Sequence, residues 1–270
     1  MAAGAPHGVV TSRQNPQLKA LRALRAAPER KRAGLFACEG EDLVQAAILA
    51  SRFPRALFVQ ESERLPELEA ASHEVLVCSR EALSSASELG HTPRCIAVMA
   101  YEDLPRLTVN SPGSGPGLFT DPAASVALHL HGVGDPGNLG TLVRAVDGFG
   151  PAHIALGERC ADPCGPKAVR ASMGAIFRVP IVALGDAPAL PVIALDAGAT
   201  RTLADCRPQA PVAFALGAER TGLPQQVLGG ATAVAAIPLA LGAESLNVAM
   251  AGTIALYELR RSTGSASPST

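Results

Sequence analysis

"HGVGDPGNLG", residues 131–140, is the stretch on which the fold turns. It follows the apolar run Val126 to Leu130 and opens a segment of helical periodicity. Its Gly132, Gly134 and Gly137 spell G-x-G-x-x-G, the spacing of a dinucleotide-binding loop. A second apolar run, "HIALGE", ends in Glu158, about where such a fold keeps the acid that holds a ribose hydroxyl. Pro136 argues the other way, because proline removes a backbone N–H from a loop whose N–H groups would have to cradle a pyrophosphate. A nicotinamide-dependent oxidoreductase is one reading of this loop, and spacing alone does not exclude it.

Beyond this loop, "NLGTLVRAVDGFG" places Leu139, Leu142, Val143, Val146 and Phe149 on one helical stripe, which leaves Arg144 off the stripe and free to meet an anion. Downstream, "FALGAERTGLP" ends an apolar strand in Gly217 and puts Glu219 and Arg220 in a loop stiffened by Gly222 and Pro224. "IPLALGAESLNVAMAGTIALYELRR" then predicts a strand end at Ile237 and Pro238, a Gly-containing loop, and a long helix with Ser245 as its N-cap. That helix carries Val248, Ala249, Ala251, Gly252, Ile254, Ala255, Leu256 and Leu259. It is apolar nearly all round and small on one side, which calls for burial or for close packing against another chain.

Apolar runs at 125–131, 153–157, 192–196, 212–217 and 233–238, with helical patterns between several of them, indicate a mostly parallel sheet covered on both faces. Upstream, Asn15 can cap and Pro16 can open a helix whose Leu18, Leu21 and Leu24 form an apolar stripe. Short runs "ALFV", "EVLVC" and "RCIAVM" complete a small α/β unit ending near position 108. Residues 109–122, rich in Pro, Gly and Ser, read as a linker, and the tail from 263 to 270 as disordered.

The chain has 270 residues, room for two ordinary domains, with 48% hydrophobic and 17% charged residues and no apolar run near the ~18 residues of a membrane span. Its first residues lack the pattern of a secretion signal, which predicts a cytoplasmic protein. Six scattered cysteines read as reduced thiols, and "CADPC" has no second pair to complete a zinc site, so no metal is expected. Net charge is −1, but residues 11–35 hold seven basic side chains (Arg13, Lys19, Arg22, Arg25, Arg30, Lys31, Arg32) against Glu29, a local +6. Such a patch either seeks phosphate or is a solvated helix face. Aromatics at 3% with no Trp make a base-stacking platform a poor expectation. His129, His131 and His153 sit on or beside predicted strands, where packing explains them better than catalysis.

The stretches "DPGNLGTLVRAVDGFG", "KAVRASMGAIFRVPI", "LGAERTGLP" and "IPLALGAESLNVAMAGTIALYE" together resemble the SpoU (TrmH-like) branch of the SPOUT RNA methyltransferases. "VTSRQNPQLKALRAL" and "RKRAGLFACEGEDLVQAAI" resemble the substrate-binding domain that precedes the catalytic domain in many members. The resemblance implies an α/β protein in two parts. Residues 123–262 would form a trefoil-knotted domain with a parallel sheet, and residues 1–108 a small α/β ribosomal-protein-like domain that binds RNA. It implies a homodimer that methylates a ribose 2′-hydroxyl, with S-adenosylmethionine as cofactor and 23S rRNA as the expected target. A tRNA 2′-O-methyltransferase and a non-catalytic RNA-binding protein of the same fold are the alternatives.

The implied site is Asn138, Arg144, Glu219, Ser245 and Asn247, with Leu216, Gly217, Ile237, Pro238, Leu246 and Asn247 holding the cofactor. RNA would meet Arg13, Lys19, Arg22, Arg25, Lys31, Arg144 and Arg170, with Ser172 beside the last. The glycines of the opening loop become turn residues. "CGPK" at 164–167 departs from the family's usual aromatic-Asn-Pro-Lys, and Ala218 stands where many members carry Asn. A guanidinium with a pKa of about 12.5 or more is a poor proton acceptor, so Arg144 is expected to clamp the adjacent phosphate and stabilise the developing alkoxide.

Overall fold

The computed structural model describes residues 8–107, 125–240 and 245–263; the expected linker and all but the first residue of the expected tail lie outside them. In chain order the elements are α1 (Pro16–Ala23), α2 (Ala27–Ala33), β1 (Leu35–Glu39), α3 (Glu41–Leu49), β2 (Ala56–Gln60), α4 (Pro66–Ala70), β3 (Val75–Cys78), α5 (Arg80–Ser84) and β4 (Cys95–Ala100). There follow β5 (Val126–Leu130), α6 (Pro136–Phe149), β6 (His153–Leu156), α7 (Pro166–Ala171), β7 (Ile181–Ala183), β8 (Val192–Leu195), α8 (Leu203–Cys206), β9 (Val212–Leu216), α9 (Gln225–Gly230), β10 (Ala233–Ala235) and α10 (Val248–Ser262). Two compact units form. One comprises Met1–Leu104 with Asp162–Arg178, the other Pro105–Ala161 with Val179–Thr270.

The first unit holds a four-stranded sheet in the order β1-β4-β2-β3, with only β2 and β3 parallel. The Asn15 side chain caps α1 by accepting from the N–H groups of Gln17 and Leu18. Leu18, Leu21 and Leu24 are buried among Phe58, Leu76, Leu83 and Ile96. A segment from far along the chain completes this unit: α7 packs on β1, and Phe177 stacks on Phe36 at 6.3 Å between ring centroids. The buried Arg30 guanidinium donates to Asp162 Oδ2 at 2.7 Å and to the carbonyls of Leu24 and Arg25. Its charge, counted in the +6 patch, is therefore already matched inside the fold.

The second unit is a six-stranded sheet, β10-β8-β9-β5-β6-β7, parallel at every pairing. Its central strands β5 and β9 are buried along their whole length, as the continuous apolar runs require. The chain leaves β5 toward β6 and β7 on one side, whereas β9 belongs with β8 and β10 on the other. The crevice beyond the carboxyl ends of β5 and β9 is where an open parallel sheet offers a ligand site.

Helices α6 and α10 pack side by side, and Gly252 allows it: a Cβ there would stand 2.4 Å from Leu142 Cδ2. The small face of α10 is thus used within the chain. Facing outward instead are Met250, Ile254 and Tyr257, exposed and spaced one helical turn apart. His129 and His153 lie buried in adjacent strands, as packing predicts, and burial pushes both down to about 4. The cysteines are free thiols, and burial pushes Cys95 and Cys164 up to about 12, far from a reactive thiolate. Among the described residues no helix is long and apolar enough to cross a membrane, and no group of His, Cys, Asp or Glu is arranged to hold a metal.

Candidate active site

Three loops meet beyond the ends of β5 and β9. The first is the glycine-rich loop, which ends in Asp135: its carboxylate caps α6 by accepting from the Asn138 N–H at 2.9 Å. The second leaves β9 at Gly217 and folds back at once, with Gly222 N–H donating to the Ala218 carbonyl. A Cβ at position 217 would come within 2.2 Å of the Gly222 backbone, so only glycine lets the loop close and carry Glu219 on its turn. The third runs into α10, and Asn247, not Ser245, is the cap, accepting from Ala249 and Met250 N–H. Ser245 is a good capping residue two positions too early, because the helical backbone begins at Val248.

These loops bring Asn138, Glu219 and Asn247 into one hydrogen-bonded set. Glu219 Oε1 accepts from Asn138 Nδ2 at 2.5 Å and from Asn247 Nδ2 at 3.2 Å, and Asn247 Nδ2 also reaches Asn138 Oδ1 at 3.0 Å. Two clefts adjoin them. One, of about 240 Å³, is mainly apolar and lined by Leu195, Leu216, Ala235, Ile237, Leu246 and Val248, with Asp196, Gly217, Glu219 and Ser245 as its polar or backbone-rich members. The other, of about 270 Å³, is lined by Gly132, Gly134, Asp135, Asn138, Glu219 and Arg220. Glu219 borders both.

Four of the expected cofactor contacts, Leu216, Gly217, Ile237 and Leu246, line the apolar cleft; Asn247 is not among its lining residues and is tied to it only by its bond to Glu219. Pro238 does not: β10 ends at Ala235 and Pro238 is exposed outside the lining. Arg144 is exposed on α6, lines neither cleft and has no bonded partner among the described residues. It lies six residues past Asn138, about 9 Å along the helix, so it is not gathered into the set that joins Asn138 to Glu219. Sequence reasoning missed Asp135 and Asp196, although an Asp before a Pro-opened helix and an Asp ending an apolar strand were both readable signals.

The residues expected to meet RNA, Arg144 apart, belong to the first unit. Arg13, Lys19 and Lys31 are exposed. Arg22 is half-buried and Arg25 exposed, and both are held by bonds within their own unit. Arg22 donates to Ser85 Oγ and the Arg13 carbonyl, and Arg25 to the carbonyls of Ser85 and Ser87. Arg170 is half-buried on α7. Ser172 is buried with its hydroxyl donated to the Val169 carbonyl, which removes it as an RNA contact.

A parallel α/β unit whose strand ends join an Asn, a Glu and an Asn beside two clefts has the layout of an open-sheet ligand-binding protein. The chain belongs to the SpoU rRNA methylase family, whose model matches residues 125–257, and an MRM3-like substrate-binding domain matches residues 15–97. The uncharacterised tRNA/rRNA methyltransferase slr1673 of Synechocystis sp. is 33% identical, over 96% of this chain and 95% of its own. The 23S rRNA (guanosine(2553)-2′-O)-methyltransferase RlmP of Bacillus subtilis is 28% identical over 93% of this chain and 98% of its own. The AdoMet-bound crystal structure of an rRNA methyltransferase from Sinorhizobium meliloti superposes with a TM-score of 0.75 at 29% identity, covering 93% of this chain and 97% of that one.

Proposed function

We propose that this protein transfers a methyl group from S-adenosylmethionine to a ribose 2′-hydroxyl of ribosomal RNA, with large-subunit RNA as its target, in the cytoplasm. The observation that carries the reading is the set of Asn138, Glu219 and Asn247 bonded to one another beside an apolar and a polar cleft. The apolar cleft suits adenosylmethionine. Leu195, Leu216, Ile237 and Leu246 offer walls for a heterocycle, Gly217 bares its backbone, and two carboxylates, Asp196 and Glu219, favour a cationic ligand. Bound there, the cofactor supplies an electrophilic methyl group.

The protein's share is alignment and charge. Glu219 fixes the two amides, and Asn138, which borders the polar cleft, is placed to orient a ribose entering from that side. Arg144 clamps the neighbouring phosphate and offsets charge on the 2′-oxygen as its proton leaves. Because Arg144 stands off both clefts of its own chain, we assign it to the site of a second copy. The outward row Met250, Ile254 and Tyr257 on α10, beside α6, is the face through which the homodimer forms. The family's trefoil knot is part of the same reading.

The test is calorimetry followed by methyl transfer. Adenosylmethionine should bind and NAD should not, and labelled methyl should pass to rRNA; NAD binding without adenosylmethionine would return the glycine-rich loop to its nucleotide reading.

A further inference from the structure

We infer that Asp196 is the acceptor for the ribose cis-diol of the cofactor's adenosine, and so a specificity-determining residue of the apolar cleft. The inference rests on the reading of that cleft as the cofactor site. Asp196 and Glu219 are the two ionisable side chains on its wall, and Glu219 already accepts from two amides. Asp196 has no cationic partner among the described residues. Its Oδ1 accepts from the Gly198 N–H at 2.7 Å, and its own N–H donates to the Ala235 carbonyl at 3.0 Å. The carboxylate is therefore held in place, with lone pairs on both oxygens left over.

Its position chooses the part of the ligand. Asp196 follows β8, which lies beyond β9 from β5, so it stands roughly two strand spacings, about 10 Å, across the sheet from the loop that carries Asn138. The reacting methyl must lie near the Asn138 end, which leaves the adenosine for the β8 end. There the chemical group that donates two adjacent O–H bonds to one carboxylate is the ribose diol, the pairing that acids at parallel strand ends make with dinucleotides. Gly198 keeps the arrangement open, since a Cβ there would stand 3.1 Å from Asp196 Oδ1.

Calorimetry on the full chain tests this with three ligands: S-adenosylhomocysteine, its 2′,3′-dideoxy analogue, and methylthioadenosine, which keeps the diol but lacks the amino acid. Hydrogen bonds to a charged acceptor predict that Asp196→Ala weakens the first and third ligands by about 10- to 100-fold and the dideoxy analogue by less than threefold. Gly198→Val should act in the same direction. Equal losses on all three ligands, or a loss confined to the homocysteine ligands, would overturn the assignment, the latter pointing to the ammonium group instead. Wild-type affinity in Asp196→Ala would overturn it too. Leu246→Pro separates this from failure of the cleft reading itself: if that variant binds all three ligands normally, the cofactor lies elsewhere.

Discussion

Asn138 and Asn247 turn their amides onto one oxygen of Glu219, and that shared acceptor sets what substitutions should do. Glu219→Ala removes the acceptor that Asn138 and Asn247 share, leaves Asn138 Nδ2 unpaired and Asn247 Nδ2 with only its bond to Asn138, and should lower kcat/KM at least ~10-fold, each bond to a charged acceptor being worth about 1.5–3 kcal/mol. Glu219→Gln keeps the accepting oxygen and should recover most of the loss in a labelled-methyl assay. Asn247 has two tasks, which can be separated. Asn247→Ala should cost stability, about 1 kcal/mol by denaturant titration, and also cofactor affinity, whereas Asn247→Ser keeps the cap and loses only the bonds to Asn138 and Glu219. Arg144→Ala should lower turnover by ~10² or more and leave calorimetric cofactor affinity nearly unchanged; transfer within threefold of wild type would refute its role. The resemblance to the SpoU family, not spacing or periodicity, named Asn138, Glu219 and Asn247 as members of one site. It could not show that they bond to one another, because that depends on where three distant loops end. Ser245 was misread as the cap for a local reason: both Ser and Asn cap well, and only the first helical turn decides between them.

At the level of strands and helices, hydrophobic runs found β5, β6, β8, β9 and β10 because a sheet covered on both faces needs uninterrupted apolar stretches. The three-residue β7, half-exposed at the sheet edge, carries too little of that pattern to be seen. Strand burial also explains a pH response. His129 and His153 are pushed from about 6.5 to about 4 in the folded chain, so the unfolded chain binds protons more readily between those values. Their contribution is fully present above pH 6.5 and is lost as pH falls toward 4. The melting temperature should accordingly drop across this window. The double variant His129→Gln, His153→Gln should flatten that drop, and an undiminished slope would show that other groups control it.

For the whole molecule, the return of residues 162–178 to the N-terminal unit is what the sequence hid most completely. Composition placed a boundary at the Pro- and Gly-rich stretch and expected RNA affinity before it and chemistry after it. The buried Arg30–Asp162 pair and the Phe36–Phe177 stack bind segments from both sides of that stretch into one unit. Deleting residues 1–108 would strip the cover from Val169 and Phe177, so the excised C-terminal part should be less stable than the full chain. Arg30→Ala removes the buried guanidinium's bonds to Asp162 and to the Leu24 and Arg25 carbonyls and should lower the denaturation midpoint. Light scattering should find twice the 27.6 kDa chain mass, and Ile254→Glu with Tyr257→Glu should split the pair. Mixing Arg144→Ala with Asn247→Ala chains should restore partial activity if each site draws its arginine from the other copy.

Methyl transfer to a ribose hydroxyl of ribosomal RNA by this site is decided by mapping ribose methylation across total RNA from cells with the gene, without it, and carrying Arg144→Ala. A 2′-O-methylated nucleotide in large-subunit rRNA should disappear with the gene and should not be restored by the Arg144 variant. A methyl group lost from a base or from tRNA instead, or an rRNA pattern unchanged by deletion, would contradict it.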